Sequence, residues 1–378
     1  MARRTTLLVE NFGPIEKVEV PFSDITVLVG PQATGKSLVL QWLKLAIDRN
    51  RILGTLGKHG YEVDGKAELL AGWYFGAGYD KSIRPGTKVS LGKKVLDIRA
   101  LAEGRRRSEP HKALYIPAHR ALVVGTGWPL TFRGFNEDTP FVVRYFSELL
   151  RELLGRIGND VFPAQRRLRA PIREALDGAL FHGGQVVVES RGFAGKQLRL
   201  VHGRTRLSLM EWTTGQREAL PLLAGLYKAL PAGGSERRGP ITWVIVEEPE
   251  LGLHPDAILA TLLLLFEVSR RGYRLVVSTH SPLVLDLLWA MQQLRKHSDG
   301  PKRLLSVLRA QENRFMLSLA STALAKTVSV VYLDFKNERV TSQDISKLDP
   351  MSDVAAERDW GGLLRHNTRI AEEVATVS

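Results

Sequence analysis

The stretch GPQATGKS, Gly30 to Ser37, constrains this chain more than any other, because it fills the pattern G-x-x-x-x-G-K-[ST] in full. It directly follows DITVLV, which reads as a buried strand. It opens GKSLVLQWLKLAIDR, where Leu38, Trp42, Leu45 and Ala46 recur on one side of a helix. A strand that feeds a glycine turn that feeds a helix is the setting in which this pattern has a mechanism, and the stretch reads as a Walker A loop. Gly30, Pro31, Gln32, Ala33, Thr34, Gly35, Lys36 and Ser37 then form a cradle. Backbone N–H groups wrap the phosphates of ATP, the helix N-terminus adds positive potential, Lys36 reaches the β- and γ-phosphates, and Ser37 can ligate Mg2+. The plainer alternative is a glycine turn that merely precedes a helix.

A phosphate loop of this kind needs a partner strand that ends in acid. ITWVIVEEPELGLHP, Ile241 to Pro255, is strongly apolar until it reaches Glu247 and Glu248. Seen alone, the two acids read as a strand surfacing into an acidic turn. Beside a phosphate loop, Glu247 takes the magnesium-supporting role, usually through a water, and Glu248 is placed to polarise the attacking water. Aspartate is the usual residue at the first position, and the extra methylene of Glu247 shifts its contact with the metal or makes it indirect. STHSP, Ser278 to Pro282, follows the next strand, and His280 would lie near a γ-phosphate if that strand neighbours the Walker strand; a histidine at a strand end otherwise serves structure. A fourth element is MEWTTGQREALPLL, Met210 to Leu223, where Thr213, Thr214, Gly215 and Gln216 open a helix. Such a turn is either a second anion site or a simple N-cap.

Strands alternate with helices along most of the chain, which implies an α/β fold with a largely parallel core. TTLLVEN, IEKVEV and DITVLVG read as strands, Tyr61 to Arg99 as irregular β structure, and KALYIPAHRAL as a buried strand that leaves into a loop. Residues 134–184 read as two or three amphipathic helices that form an insertion. The expected division is 1–133 for the N-terminal part with the Walker A loop, 134–184 for the helical lobe, 185–296 for the C-terminal part, and 297–378 for an extension.

Lys and Arg number 53 against 40 Asp and Glu, and the formal charge of +13 suggests an acidic partner such as nucleic acid, a nucleotide or an anionic membrane face. The basic runs are Arg105, Arg106 and Arg107, and Arg166, Arg167, Arg169 and Arg173; solvated surface charge is the alternative to a nucleic-acid contact for both. The absence of cysteine excludes disulfides and thiolate metal sites. The run AILATLLLLF is well short of the ~18 residues a membrane span needs, and the N-terminus lacks the apolar core of a signal peptide. The expectation is a soluble, cytoplasmic protein without membrane contact.

Taken in order, the four elements resemble the ABC-type ATPase head, in the branch shared by the SMC, RecF and OLD-type proteins. LLVENFGPIEKVEVPFSDITVLVGPQATGKS looks like that branch's N-terminal strand pair and Walker A, WTTGQ like its signature, VIVEEPELGLHP like its Walker B and D-loop, and STHSP like its switch-histidine loop. The resemblance implies a P-loop NTPase with an N-terminal β subdomain and an inserted helical lobe. It implies two heads that sandwich two ATP molecules as a homodimer, so that Thr214 and Gly215 act in trans on the partner's γ-phosphate. The glutamine of the family's Q-loop has no obvious counterpart; the loop after ALYIPAHR is the candidate region. OLD nucleases carry a TOPRIM domain after the switch histidine, and no Asp-x-Asp pair follows His280. The expected function is therefore an ATP-driven switch, catalysed by Lys36, Glu248 and His280, whose output passes to DNA or to a separate effector protein. It reads as the sensor subunit of a bacterial defence system or as a RecF/SMC-like maintenance ATPase, and less readily as a transporter subunit.

Overall fold

The computed structural model describes residues 5–103, 110–125, 127–190, 195–233, 237 and 239–375. Fourteen strands form two sheets among these residues. The large sheet contains β1 (Thr5–Phe12), β2 (Ile15–Phe22), β3 (Ile25–Val29), β4 (Ile83–Leu91), β5 (Lys94–Leu96), β6 (Ala113–Ile116), β11 (Trp243–Glu247), β12 (Arg274–Thr279), β13 (Val328–Lys336) and β14 (Arg339–Asp344). The small sheet contains β7 (Asp160–Phe162), β8 (Gln185–Ser190), β9 (Lys196–His202) and β10 (Thr205–Ser208), in the order β10-β9-β8-β7.

The large sheet runs in the order β5-β4-β1-β2-β14-β13-β3-β12-β11-β6. Its half from β13 to β6 is parallel throughout. ITVLV, WVIVE and ALYI are buried at every position, as strands covered by helices on both faces must be. The other half is built on the antiparallel β1–β2 hairpin, where exposed residues alternate with buried ones, and β4 joins it on the far side of β1. The α/β expectation holds, with a mixed sheet whose parallel part carries the motifs.

Helices Lys36–Lys58, Thr214–Leu226, Pro255–Arg270 and Pro282–Leu294 connect or cover these strands. The first is buried on most of its surface around Trp42, which meets Phe12 edge-on at 4.9 Å between ring centroids. The stretch 61–99 contains the helix Ala67–Phe75 as well as β4 and β5, so it is more regular than its glycine-rich sequence suggested.

Two arrangements bear on the expected division of the chain. Within 134–184 lie the helices Phe141–Ile157 and Ala170–Leu176 but also β7, which pairs with β8 and so draws residues up to Ser208 into a separate sheet. Residues after 297 are not merely appended: β13 lies directly beside the Walker strand, with Tyr332 opposite Val29. Sequence order hides this, because some 300 residues separate two neighbouring strands. No helix among the described residues is long and apolar enough to cross a membrane.

Candidate functional site

Parallel strands that start together also end together, and here their C-terminal ends carry the chemistry. Thr279 of β12 pairs with Val29 of β3, and Glu247 of β11 pairs with Ser278. The residues that follow, Gly30, His280 and Glu248, therefore leave the sheet side by side. The sequence condition on His280, that its strand neighbour the Walker strand, is met.

Gly30 cannot be another residue without rearrangement. Its φ is 152°, and a Cβ there would stand 2.3 Å from the carbonyl oxygen of Leu333 in β13. Gly35 caps the helix in the left-handed region at φ 75°, and Ala33 within the loop also takes a positive φ of 63°. Thr34 Oγ1 donates to the Pro31 carbonyl at 2.9 Å, which ties the loop across its base. Pro31, Gln32 and Ala33 are exposed, and Ser37 is half-buried.

Lys36 is buried, and its ammonium donates to the carbonyls of Gly30 at 2.8 Å and Pro31 at 2.7 Å. Burial lowers its pKa to about 8, an effect that Glu248 and Glu250 partly offset. No ion pair neutralises it among the described residues, so it is a buried cation held by two carbonyls and, at 3.4 Å, by the Thr34 hydroxyl. A phosphate in the loop would give it the anion it lacks, and in this respect the loop fits a nucleotide.

Glu248 takes a left-handed φ of 42°, and its backbone N–H donates to Ser278 O at 2.9 Å. That turn brings its Oε1 to 3.5 Å from His280 Nε2, and both side chains remain partly exposed. The histidine holds the Glu248 carboxyl below the usual carboxylate range against the opposing effect of burial, helped by Lys36 and Arg120. The lowered pKa keeps this carboxylate ionised at neutral pH, which also makes it a weaker proton acceptor than an unperturbed glutamate.

Glu247 behaves differently. Its Oε1 accepts from the Tyr115 hydroxyl at 2.7 Å and its Oε2 from the Ala118 N–H at 2.9 Å, both on β6 and the loop beyond it. The side chain is thus committed to the strand on the side of β11 away from the Walker strand, and ligating a metal at Ser37 would require it to give up those bonds. Among the described residues no group of three or more histidines, aspartates or glutamates could hold a metal ion. Magnesium there would need the nucleotide's own oxygens beside Ser37.

The Thr213–Gln216 turn is a capping box. Thr213 Oγ1 accepts from the Gln216 N–H and Gln216 Oε1 accepts from the Thr213 N–H, both at 3.2 Å, while the Gln216 amide donates to Leu180 O at 2.8 Å. These two residues serve the cap that the plainer reading allowed for. Thr214 is exposed, and Gly215 packs against the Gly252 carbonyl, 3.1 Å from where a Cβ would stand. No described hydrogen bond or ion pair joins this turn to Gly30–Ser37.

Two residues of the site escaped the sequence reading. Arg120, fully buried at the start of the short helix Arg120–Val123, donates to the backbone carbonyls of Glu247 at 2.7 Å, Glu248 at 2.9 Å and Glu218 at 3.2 Å, and so clamps the acidic turn from the end of the ALYIPAHR stretch, just before the loop where the Q-loop was sought. Glu250 accepts from the His280 N–H and from the Thr279 hydroxyl, each at 2.7 Å, and burial raises its pKa despite those bonds. The PAHR and EEPE stretches carried the signal, but neither shows where a side chain will turn.

Residues 148–286, which include the capped turn, the acidic strand and His280, match the family described as "AAA domain, putative AbiEii toxin, Type IV TA system". An OLD nuclease of Thermus scotoductus is 23% identical, over 94% of this chain and 76% of its own. Solved SMC head domains are more distant. One from Thermotoga maritima is 12% identical with a TM-score of 0.36, over 90% of this chain and 98% of that one. One derived from Pyrococcus furiosus, bound to the C-terminal domain of ScpA, is 11% identical with a TM-score of 0.39, over 98% of each chain. Overlaps of that size add nothing to the strand order described above. With its phosphate loop, acidic strand end and histidine strand on one edge of such a sheet, the chain has a P-loop α/β fold, and in sequence it is similar to this AAA-domain family and to the OLD nuclease.

Proposed function

We propose that this head binds Mg-ATP at Gly30–Ser37, hydrolyses it with Glu248 as base, and alternates between a closed dimer with ATP and an open state after hydrolysis. The observation that carries the reading is the Glu248–His280 pair, 3.5 Å apart, beside a buried Lys36 that has no anion. Lys36 and the loop amides would hold the phosphates, Ser37 would hold the metal, and Glu248 would orient and deprotonate the attacking water with His280 against the γ-phosphate. Bound magnesium supplies charge neutralisation on the phosphate oxygens. Glu247 then acts through its backbone and its hold on β6, as a positioning residue. Thr214, exposed, and Gly215, half-buried beside it, have no described bond to their own chain's phosphate loop and suit a role opposite a partner's nucleotide.

In this reading the output goes to a separate protein or to DNA. The match to the AbiEii family description and to the OLD nuclease favours the ATPase subunit of an anti-phage defence system whose effector is another chain. A RecF/SMC-like maintenance role is the second reading, favoured by the charge of +13. Glu248→Gln keeps shape while removing the base. Hydrolysis should fall by at least about a hundredfold, and light scattering should show a dimer with ATP that wild type forms only transiently. A variant that stays monomeric with ATP bound, next to a wild type that hydrolyses as a monomer, would defeat the sandwich.

A further inference from the structure

At the opposite end of the parallel strands from the phosphate loop, the start of β6 and the approach to β11 border a cavity of about 540 Å³. Its floor is a cluster the ATPase chemistry does not use. Lys44, fully buried on the Lys36–Lys58 helix, donates to Asp48 at 2.6 Å and to the Ala113 carbonyl at 2.6 Å, and its Nζ stands 2.9 Å from His111 Nδ1. Asp48 breaks the helix geometry (φ −118°, ψ 18°) and also accepts from the backbone N–H groups of Lys112 at 2.7 Å and Ala113 at 3.1 Å.

This arrangement fixes the protons on His111. His111 Nδ1 lies 2.9 Å from Lys44 Nζ and 3.3 Å from Asp48 Oδ2; an ammonium has donors and no acceptor, so at the shorter contact Nδ1 accepts from Lys44, and the neutral ring carries its hydrogen on Nε2. The His111 side chain is 10% exposed, yet its Nε2, on the ring edge away from Lys44 and Asp48, is buried without a partner. Burial and Lys44 keep the ring neutral, with its pKa lowered to about 4. Arg51, which also lines the cavity, has a second buried donor without a partner at Nε. Such donors are costly to leave unmade. The charged lining is three cations, Arg51, Arg167 and Lys228, against one carboxylate, Glu152, and Leu114, Leu149 and Ile241 make the wall apolar. Arg167 is already bound to the Tyr227 and Leu230 carbonyls, which leaves Arg51, Lys228 and His111 for a guest.

From these orphan donors, the excess of cations and the apolar wall, we propose that the cavity is a second ligand site, for a small organic anion whose carboxylate, sulfonate or phosphate group accepts from His111 Nε2 and Arg51 while its apolar body lies on Leu114 and Leu149. The volume lies within the range of small-molecule sites, about 300–1,000 Å³.

The test uses 8-anilinonaphthalene-1-sulfonate on the full chain, read by its fluorescence, with uncharged N-phenyl-1-naphthylamine as control. One saturable site is expected for the sulfonate in wild type, with at least about tenfold weaker binding of the neutral amine. His111→Phe keeps the ring but removes the donor, and should weaken sulfonate binding about tenfold; Leu149→Trp fills the cavity and should abolish it. Lys36→Ala should leave it unchanged, which separates this site from the phosphate loop and makes its failure distinct from that of the ATPase reading. Equal binding of the two dyes by wild type, a comparison that needs no variant, or undiminished sulfonate binding by folded Leu149→Trp would overturn the proposal.

Discussion

Lys36 carries the sharpest consequences of any single residue. It is buried with a pKa of about 8, held by two carbonyls and no anion. Lys36→Ala should weaken ATP at least tenfold, about 1.4 kcal/mol or more, by calorimetry. A phosphate needs the lysine charged, so binding should take up a proton near pH 8 and weaken as the pH rises through that value. Calorimetry in two buffers of different ionisation enthalpy reads this directly; equal heats at pH 8 would mean that Lys36 is not recruited. The neighbouring acids should separate under mutation. Glu248 is partly exposed at His280, whereas Glu247 is locked to Tyr115 and Ala118. Glu248→Gln should abolish turnover with nucleotide binding intact. Glu247→Gln should lower thermal stability and leave magnesium affinity in the nucleotide complex within a few-fold. Loss of metal binding in Glu247→Gln, measured by Mn2+ titration, would return that residue to the metal.

Among the elements, the Lys36–Lys58 helix joins both ends of the sheet. Its first residue is the phosphate-loop lysine, and about two and three turns later Lys44 and Asp48 hold the start of β6, whose far end leads into the Arg120 clamp. Burial alone would raise the Asp48 carboxyl, but the Lys44 ammonium beside it more than offsets that and holds it well below the usual carboxylate range. A depressed folded pKa gives stability that is complete above the unfolded value, about 4, and is lost as the pH falls through and below it. Asp48→Ala leaves Lys44 buried and unpaired, and should cost about 3–5 kcal/mol at pH 7 in urea denaturation. The gap to wild type should narrow in acid below about pH 4. A gap that is the same at pH 7 and pH 3 would show that the pair contributes nothing through its charge.

For the whole molecule the open matter is where the charge of +13 is used. Arg105, Arg106 and Arg107 lie outside the described residues. Arg166 is exposed, but Arg167 is tied to backbone carbonyls and stands 5.7 Å over the Tyr227 ring, and Arg169 stands 5.5 Å over Phe315. The second basic run is therefore partly structural, and only some of it is free to meet a polyanion. If DNA is the partner, binding should be indifferent to sequence and should fall steeply between low and physiological salt, with Arg166→Glu weakening all duplexes alike. Fluorescence anisotropy with and without ATP checks this. No binding at low salt would assign the charge to a protein partner and favour the defence reading.

The sequence by itself determined the local pieces. GPQATGKS after a buried run could only be a strand, a glycine turn and a helix, WVIVEE had to end a strand in acid, and STHSP had to follow one. Each signal lies within a few residues, where backbone sterics, hydrogen-bonding capacity and apolar periodicity act directly. Tertiary structure decided which way side chains turn and which strands become neighbours. Glu247 faces β6 because Tyr115 and the Ala118 N–H are there to meet it, 132 and 129 residues away in the chain. Thr213 and Gln216 cap their own helix, β13 presses Leu333 against Gly30, and Arg120 and Glu250 become part of the site. None of this is local. It follows from closing long loops around one sheet, where each buried polar atom must find its partner among whatever the fold brings close.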